Sequence, residues 1–306
     1  MPQAPDIRIP LDVPPEEEER YRENYRRVTH NTGRLMLFAG DQKIEHLNDD
    51  FSGEDIHPDD ADPEHLFRIA SKGRIGIFAT QLGLLARYGR DYPDVAYMVK
   101  LNSKTNLIKT SQSDPASSEL YHVRQAVDLR DRTGLSILGV GYTVYIGSEY
   151  EPLMLYQAAQ AINQAHKHGL ITVLWMYPRG SAVKDERDSH LVAGAAGVAA
   201  AIGSDFVKVN PPKVGGVADA ALLREAVAAA GRTGVVCSGG SQVSVPEFLQ
   251  QLHDQIHVGG AIGNATGRNI HQRSLDEAVR FCNAISAITL DGASVDDAVK
   301  IYGGGR

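Results

Sequence analysis

A single lysine within an apolar segment is the residue of this sequence best suited to covalent chemistry. Lys208 lies between Val207 and Val209 in the run Ser204-Asp-Phe-Val-Lys-Val-Asn210, which predicts a short β-strand. Because side chains alternate across a strand, Lys208 points away from both valines. If both faces of the strand are covered, an unpaired ammonium is costly there, and the neutral amine that results is a nucleophile. From the lysine alone, the favoured alternative is that it reaches water or pairs with a carboxylate at the open end of the strand.

Three further side chains could assist a reactive lysine. Tyr177 lies 31 residues before Lys208, about one strand–helix unit, so both can reach the same end of a sheet. A tyrosine there can exchange a proton with the lysine or with a bound substrate. Asp41 follows a predicted strand and is a general acid or base, a partner for a lysine, or an N-terminal helix cap. Trp175, the only tryptophan, is either a core aromatic residue or a substrate contact.

Two glycine-containing turns predict a phosphate-binding site. Ser238-Gly239-Gly240-Ser241 presents backbone N–H groups that no bulky side chain obstructs, and Gly267-Arg268-Asn269 places a forked cation before a predicted helix. Each is alternatively an ordinary turn with a surface arginine. Both follow the last two predicted strands, where barrel enzymes commonly bind phosphate, so together they favour a phosphorylated ligand.

The sequence offers little for a metal ion. Glu45 and His46 are adjacent potential ligands, but no third ligand follows at a spacing typical of a metal motif. His166 and His168 are two residues apart near the predicted end of a helix, so they do not share a face of it. We therefore predict chemistry that needs no metal and no other cofactor.

The elements that must position these residues are short apolar strands alternating with helices. Eight strands are predicted, at Leu35–Ala39, Ile75–Ala79, Ala96–Leu101, Ile137–Tyr145, Ile171–Met176, Phe206–Asn210, Val235–Ser238 and His257–Ile262. Helical spacing is found at Leu153–His168, His190–Ile202, Ala218–Ala230, Pro246–Gln255 and Ser294–Ile301. This alternation predicts a parallel α/β fold, a (β/α)8 TIM barrel, with a doubly wound open sheet as the competing fold. We expect an N-terminal helical extension at residues 1–32 and one barrel domain at 33–306.

Bulk composition argues against several classes of protein. The chain has 306 residues, of which 42% are hydrophobic and 23% charged, as expected of a globular protein. Its formal net charge of -7 argues against nucleic acid as a partner. No apolar segment approaches the ~20 residues of a membrane span, the N-terminus does not resemble a signal peptide, and two cysteines make no disulfide framework. We expect a cytoplasmic protein with no membrane partner.

Five motifs in order resemble the archaeal-type class I fructose-bisphosphate aldolases, which belong with the deoxyribose-phosphate-aldolase-like Schiff-base enzymes. The resemblance extends from about residue 33 to about residue 275. The motifs are Gly40-Asp-Gln-Lys-Ile-Glu-His46, Lys100-Leu-Asn-Ser-Lys-Thr-Asn106, Trp175-Met-Tyr-Pro-Arg-Gly180, Asp205-Phe-Val-Lys208 and Gly267-Arg-Asn269. One departure is Asp41-Gln42-Lys43, where many relatives have Asp-His-Gly.

The resemblance implies a metal-independent barrel enzyme that cleaves fructose 1,6-bisphosphate reversibly into dihydroxyacetone phosphate and glyceraldehyde 3-phosphate. It implies that Lys208 forms the Schiff base, with Tyr177 as the acid–base group and Asp41 as its carboxylate partner. Residues implied to contact the substrate or its phosphates are Trp175, His46, Lys104, Arg179, Ser238, Gly239, Gly240, Gly267 and Arg268. The resemblance also implies a homo-oligomer that binds phosphorylated ketoses and triose phosphates.

Two alternatives remain open at this point. Within the family, the lysine motifs do not fix the sugar, so a related aldolase or transaldolase-like enzyme could act on another phosphorylated or deoxy sugar or make aromatic precursors. In another class, a sugar-phosphate-binding barrel could have lost catalysis. Retention of Lys208, Tyr177 and Asp41 together argues against that second alternative.

Overall fold

The core of the molecule is a closed ring of eight parallel strands. The computed structural model describes residues 7–109, 112–240 and 243–304. The strands are β1 Leu35–Ala39, β2 Ile77–Gln81, β3 Tyr97–Lys100, β4 Ile137–Ile146, β5 Ile171–Pro178, β6 Phe206–Val209, β7 Gly234–Ser238 and β8 Gly263–Thr266. Their order around the ring is β1-β8-β7-β6-β5-β4-β3-β2, with every neighbouring pair parallel. The predicted TIM barrel is confirmed, and the open-sheet alternative is wrong.

Alternation along the strands separates an inner core from an outer one. In β6, Phe206 belongs to the apolar cluster inside the ring, whereas Val207 and Val209 belong to the cluster between the ring and its helices. Successive side chains point to opposite faces of a strand, so Lys208 shares the inward direction of Phe206. As predicted, the side chain of Lys208 therefore points in the opposite direction to those of Val207 and Val209.

The eighth strand is the one barrel strand that the sequence pattern misplaces. His257–Ile262 does not form it, because a helix continues to His257 and Gly260 turns with a φ of 82°. The strand is Gly263–Thr266, made of small residues. A Cβ at position 263 would lie 1.9 Å from the Leu35 carbonyl oxygen, so only glycine fits where β8 meets β1. Close packing and not hydrophobicity selects this strand.

Helices connect the strands and surround the ring. The α-helices are α1 Glu18–Val28, α2 Gln42–Glu45, α3 Glu64–Lys72, α4 Leu82–Tyr88, α5 Val123–Thr133, α6 Glu151–His166, α7 Ser189–Ala201, α8 Leu223–Ala230, α9 Val245–His257, α10 Arg268–His271, α11 Leu275–Ser286 and α12 Val295–Tyr302. The helix predicted at Ala218–Ala230 starts later than expected, because Val217–Ala218 pairs with Lys213–Val214 in a small antiparallel ribbon. Among the described residues, no helix has the length and apolar character needed to cross a membrane.

The N-terminal extension packs across the base of the barrel, where the strands begin. The ring of Tyr25 in α1 stacks on Phe206, the first residue of β6, with 5.6 Å between centroids. The Asn24 side chain donates a hydrogen bond of 2.8 Å to the carbonyl of Gly169, just before β5. The extension therefore contacts the beginnings of the two strands that carry Tyr177 and Lys208.

A buried polar cluster joins the extension to these strands. The Asp205 carboxylate accepts hydrogen bonds from the Tyr21 hydroxyl, from the Thr172 backbone N–H at 2.7 Å and from His166 Nε2 at 3.3 Å. The other ring nitrogen of His166 lies 2.8 Å from Asp12. Burial alone would lower the pKa of His166, but Asp205 and Asp12 raise it to about 9. We call these five residues the base network.

Candidate active site

A cavity of about 390 Å³ opens at the opposite end of the barrel, where the strands end. Of the twelve site residues predicted from the sequence, eleven line it. They are Asp41, His46, Trp175, Tyr177, Arg179, Lys208, Ser238, Gly239, Gly240, Gly267 and Arg268. Residues from distant parts of the chain therefore meet in one site, as expected of the carboxyl ends of barrel strands.

Lys208 is buried at the floor of this cavity. Only 6% of the residue is exposed, which excludes the alternative of a lysine that reaches bulk water. Its Nζ lies 5.5 Å from the centroid of a ring of Trp175, the residue opposite it on β5. Burial, with smaller contributions from Lys100 and Arg268, lowers the pKa of Lys208 to about 8, against the opposing influence of Asp41 and Glu45. A substantial fraction of this amine is therefore neutral and nucleophilic near pH 8.

Asp41 pairs with a lysine and does not cap a helix. It occupies the N-cap position of α2, but its side chain makes no capping hydrogen bond. Instead its carboxylate lies 3.8 Å from Nζ of Lys100, at the end of β3. Lys100 also donates a hydrogen bond of 3.0 Å to the carbonyl of Asn102 and lies 5.2 Å from a Trp175 ring centroid. Two buried lysines, Lys100 and Lys208, thus share one tryptophan and one carboxylate environment.

Burial and two nearby carboxylates keep the Tyr177 hydroxyl protonated, against the opposing charges of Arg179 and Arg187. Burial, followed by the charges of Glu45 and Asp41, raises the pKa of Tyr177 well above 10. Its ring lies 6.4 Å from that of Tyr145, whose hydroxyl donates a hydrogen bond of 2.8 Å to Glu45. Burial alone would raise the pKa of Glu45, but this bond and the nearby cations lower it. At neutral pH Tyr177 is therefore a protonated phenol in the neighbourhood of the Glu45 carboxylate.

The predicted phosphate-binding turns lie side by side on β7 and β8. The Ser238 hydroxyl donates a hydrogen bond of 2.7 Å to Asn210, and the Asn269 amide donates one of 3.2 Å to the carbonyl of Gly239. A Cβ on Gly267 would lie 2.6 Å from the Ala39 carbonyl oxygen and even closer to the Gln42 amide, so glycine is required there. Ser241, the last residue of the first turn, lies outside the described residues.

Arg268 and His46 meet at the edge of the cavity. The side chain of Arg268 is 46% exposed, and its Nε lies 3.6 Å from a carboxylate oxygen of Asp50. The same oxygen lies 3.1 Å from Nδ1 of His46. His46 and Arg268 therefore share one acidic partner, Asp50. Within the described residues, no group of three or more His, Cys, Asp or Glu side chains is arranged to hold a metal ion.

Arg179 and Lys104 both lie near the ring of Tyr145, and only Arg179 reaches the cavity. Arg179 makes two hydrogen bonds of 2.9 Å to Glu186, and its guanidinium lies 5.6 Å from the ring centroid of Tyr145. Nζ of Lys104 also lies 5.6 Å from that centroid and donates a hydrogen bond of 2.8 Å to Asn106. Of the predicted residues, Lys104 is the one that the fold does not bring to the cavity wall.

Among the described residues that line the cavity, seven are not singled out as substrate contacts by the sequence pattern. They are Gln42, Glu45, Asn106, Arg187, Asn210, Ala265 and Asn269. A signal exists for Asn210, because it follows Lys208 by two residues and so shares its face of the strand. Glu45 is visible in the sequence only as a possible metal ligand. Arg187 lies in the charged loop between β5 and α7, where no periodic pattern distinguishes it from a surface residue.

Residues 35–273 match the profile of the DeoC/LacD family aldolases. The chain is 60% identical over 301 residues to a Methanocaldococcus jannaschii protein named fructose-bisphosphate aldolase/6-deoxy-5-ketofructose 1-phosphate synthase, covering 98% of this chain and 96% of that one. A solved fructose-bisphosphate aldolase from Slackia heliotrinireducens superposes with a TM-score of 0.95 at 57% identity, covering 98% and 94% of the two chains. An archaeal fructose-1,6-bisphosphate aldolase, solved with its catalytic lysine covalently bound to a carbinolamine, superposes with a TM-score of 0.76 at 33% identity over 88% of this chain and 99% of that one.

Proposed function

Since the chain belongs to the DeoC/LacD family of aldolases, we propose that it is a class I aldolase that cleaves fructose 1,6-bisphosphate reversibly. The observation that carries this proposal is Lys208, an inward-facing lysine buried between a tryptophan and the two turns proposed to bind phosphate. Its lowered pKa supplies the neutral amine that Schiff-base formation requires. The names of the relatives at 60% and 57% identity support the substrate.

The first half of the proposed reaction builds an electron sink. Neutral Nζ of Lys208 attacks the C2 carbonyl, and the carbinolamine loses water to give a protonated imine. The departing hydroxyl needs a proton, which the protonated Tyr177 can donate. The turns at Ser238–Gly240 and Gly267–Arg268 would hold the C1 phosphate on the far side of β6 from Tyr177. The imine is then fixed with its C3–C4 bond facing the tyrosine.

The second half breaks the bond between C3 and C4. The C4 hydroxyl loses its proton to Asp41, directly or through Tyr177, and the C4 aldehyde departs as glyceraldehyde 3-phosphate. The electron pair of the broken bond moves to C3 and into the imine, giving an enamine on Lys208. Protonation at C3 and hydrolysis then release dihydroxyacetone phosphate and restore the free lysine. Every step uses residues of this chain and water.

A coupled assay of fructose 1,6-bisphosphate cleavage tests this proposal. We expect formation of both triose phosphates, with activity retained in excess chelator because no step requires a metal. Loss of activity on chelation, with recovery on adding a divalent cation, would indicate a metal-dependent aldolase instead. Poor turnover of fructose 1,6-bisphosphate together with rapid turnover of another ketose phosphate would show that the substrate is that other sugar, while the Schiff-base reaction would stand.

A second candidate function is supported by the double name of the M. jannaschii relative. In 6-deoxy-5-ketofructose 1-phosphate, carbons 1 to 3 correspond to dihydroxyacetone phosphate, and carbons 4 to 6 correspond to a ketoaldehyde without a phosphate. The enamine on Lys208 could therefore be transferred to that aldehyde, a transaldolase-like reaction. Incubation of fructose 1,6-bisphosphate with 2-oxopropanal, followed by mass spectrometry, tests this. Absence of the deoxyketose phosphate would remove this candidate.

We also propose that the enzyme is a cytoplasmic homo-oligomer acting in glycolysis or gluconeogenesis. Support for assembly comes from α6, whose outer side exposes three large apolar residues, Tyr150 at its N-cap with Leu153 and Tyr156. A single exposed apolar residue is common on a protein surface, but three on one side of a helix favour burial of that side against another protein surface. Light scattering at micromolar concentration tests the proposed assembly, and the mass of a monomer would contradict it.

A further inference from the structure

The cavity carries cationic or donor groups on both sides of Lys208. Strand β6 lies between β7 and β5 in the ring. On the β7 side are the turns proposed for the C1 phosphate. On the β5 side are two arginines that line the cavity, Arg179 and Arg187. A ketose with a phosphate at each end would therefore find a cationic partner for its second phosphate on the β5 side.

The two arginines on the β5 side differ in how their charge is satisfied. Arg179 is held by Glu186 through two hydrogen bonds. Arg187 has no carboxylate within 4.0 Å among the described residues, and its side chain donates a hydrogen bond of 3.0 Å to a neutral acceptor, the Pro211 carbonyl. Burial lowers the pKa of Arg187, whereas for Arg179 the effect of burial is outweighed by Glu186, which raises the pKa. Glu186 and Asp185 raise the pKa of Arg187 from a distance, but neither forms an ion pair with it, so Arg187 is the arginine with room for an incoming anion.

The backbone of Arg187 is held in place from two directions. Its N–H donates a hydrogen bond of 2.8 Å to the Asp185 carboxylate, and its carbonyl accepts one of 3.1 Å from Lys213, beyond the end of β6. The next residue, Asp188, caps α7 through Leu191. A fixed backbone with an unneutralised guanidinium is preorganised for phosphate, because guanidinium presents several N–H donors in one plane.

We propose that Arg187 binds the phosphate of the aldehyde half of the substrate and selects phosphorylated over phosphate-free aldehydes. The inference rests on the proposed aldolase function, and it names the residue that separates its two candidate reactions. Glyceraldehyde 3-phosphate would gain a charge-assisted contact with Arg187. Glyceraldehyde or 2-oxopropanal, which lack phosphate, would gain nothing from it.

The test is to compare two aldehydes in variants of Arg187. Arg187→Gln keeps a polar amide but removes the charge, whereas Arg187→Lys keeps the charge. We expect Arg187→Gln to lower kcat/KM about 10- to 100-fold for condensation of dihydroxyacetone phosphate with glyceraldehyde 3-phosphate. Condensation with glyceraldehyde should change less than about twofold, and Arg187→Lys should recover part of the loss. Lys184→Gln, on the same loop but outside the cavity lining, controls for net charge.

Two results would overturn the assignment. An equal loss with both aldehydes would mean that Arg187 acts through the Pro211 segment or through its charge on Tyr177, and not on the phosphate. An unchanged kcat/KM for glyceraldehyde 3-phosphate would mean that another group binds its phosphate. Borohydride trapping of the wild-type enzyme with dihydroxyacetone phosphate separates these results from failure of the proposed function. Absence of an adduct on the wild type would remove the aldolase proposal and this inference together.

Discussion

At the base of the barrel Asp205 accepts hydrogen bonds from Tyr21, Thr172 and His166. At the opposite end, which carries the cavity and which we call the mouth, Lys208 has no carboxylate within 4.0 Å among the described residues. Both regions bury ionisable groups between the same two strands, β5 and β6. At the base each charge has a partner. At the mouth the described residues leave even neutral groups unsatisfied, such as the side-chain oxygens of Gln42 and Asn269.

For this reason the pKa of His166 at the base and the pKa of Lys208 at the mouth shift in opposite directions. The two carboxylates of the base network raise the pKa of His166 to about 9, which favours the charged form in the folded protein. Burial lowers the pKa of Lys208 to about 8, which disfavours the charged form. The charge of His166 at the base therefore stabilises the fold, whereas the charge of Lys208 at the mouth is poorly stabilised, which favours the reactive neutral amine.

Replacing Lys208 by Met should have the largest effect on activity and an opposite effect on stability. Aldol cleavage and imine formation should both fall below detection, because the nucleophile is absent. A pKa that falls from 10.5 to about 8 corresponds to a cost of about 3 kcal/mol for the charged lysine in the folded state below pH 8. The variant should therefore have a higher free energy of unfolding in urea at pH 7. A clear destabilisation would contradict the account of a poorly solvated lysine.

Replacing Tyr177 by Phe should slow the reaction without removing the imine. We expect kcat/KM for fructose 1,6-bisphosphate to fall about 10² to 10⁴-fold, the usual contribution of general acid–base catalysis. Borohydride should still trap dihydroxyacetone phosphate on the enzyme. Tyr145→Phe is the matched control, since it removes a phenol that is engaged with Glu45. A larger loss in the control than in Tyr177→Phe would exchange the roles of the two tyrosines.

The extent to which the sequence predicts this site depends on what determines the position and surroundings of each side chain. Lys208 and Trp175 are predictable, because strand alternation and the order of the barrel strands determine their direction. Strand β8 is not, because Gly263–Thr266 is selected by close approach to β1 and has no apolar pattern. The roles of Lys100 and Arg187 are also not predictable, because the fold places Asp41 beside Lys100 and, among the described residues, leaves Arg187 with no carboxylate within 4.0 Å.

Replacing His166 by Gln should destabilise the fold and leave the chemistry of the folded enzyme intact. The folded-state pKa of about 9 lies above the ordinary value of 6.5, so the stabilisation is fully present below pH 6.5 and is lost as the pH rises through 9. We expect a loss of about 3 kcal/mol in the free energy of unfolding near pH 6. The gap between wild type and variant should narrow toward pH 10.

Urea unfolding at fixed protein concentration, from pH 6 to pH 10, measures this gap. His168→Gln, two residues away and outside the base network, serves as the control and should follow the wild type. A gap that stays constant with pH, or one that widens as the pH rises, would show that the charge of His166 does not stabilise the base. A large loss of kcat in the folded His166→Gln enzyme would show that the two ends of the barrel are not independent.

The smallest expected effect is the pH dependence of imine formation. Because the pKa of Lys208 is about 8, the neutral fraction of its amine rises about tenfold between pH 7 and pH 9. The single-turnover rate of imine formation with dihydroxyacetone phosphate should rise by a similar factor and then level off. Rapid-quench sampling into borohydride gives this rate. A rate that keeps rising beyond pH 10 would mean that Lys208 titrates like a solvated lysine.

Mapping the covalent adduct tests the central claim most directly. Wild-type enzyme is incubated with dihydroxyacetone phosphate, reduced with borohydride, digested and sequenced by mass spectrometry, with Lys208→Met treated in parallel. We expect one adduct, on Lys208, and none in the variant. An adduct on the other buried lysine, Lys100, or no adduct at all, would contradict the assignment of Lys208 as the Schiff-base residue.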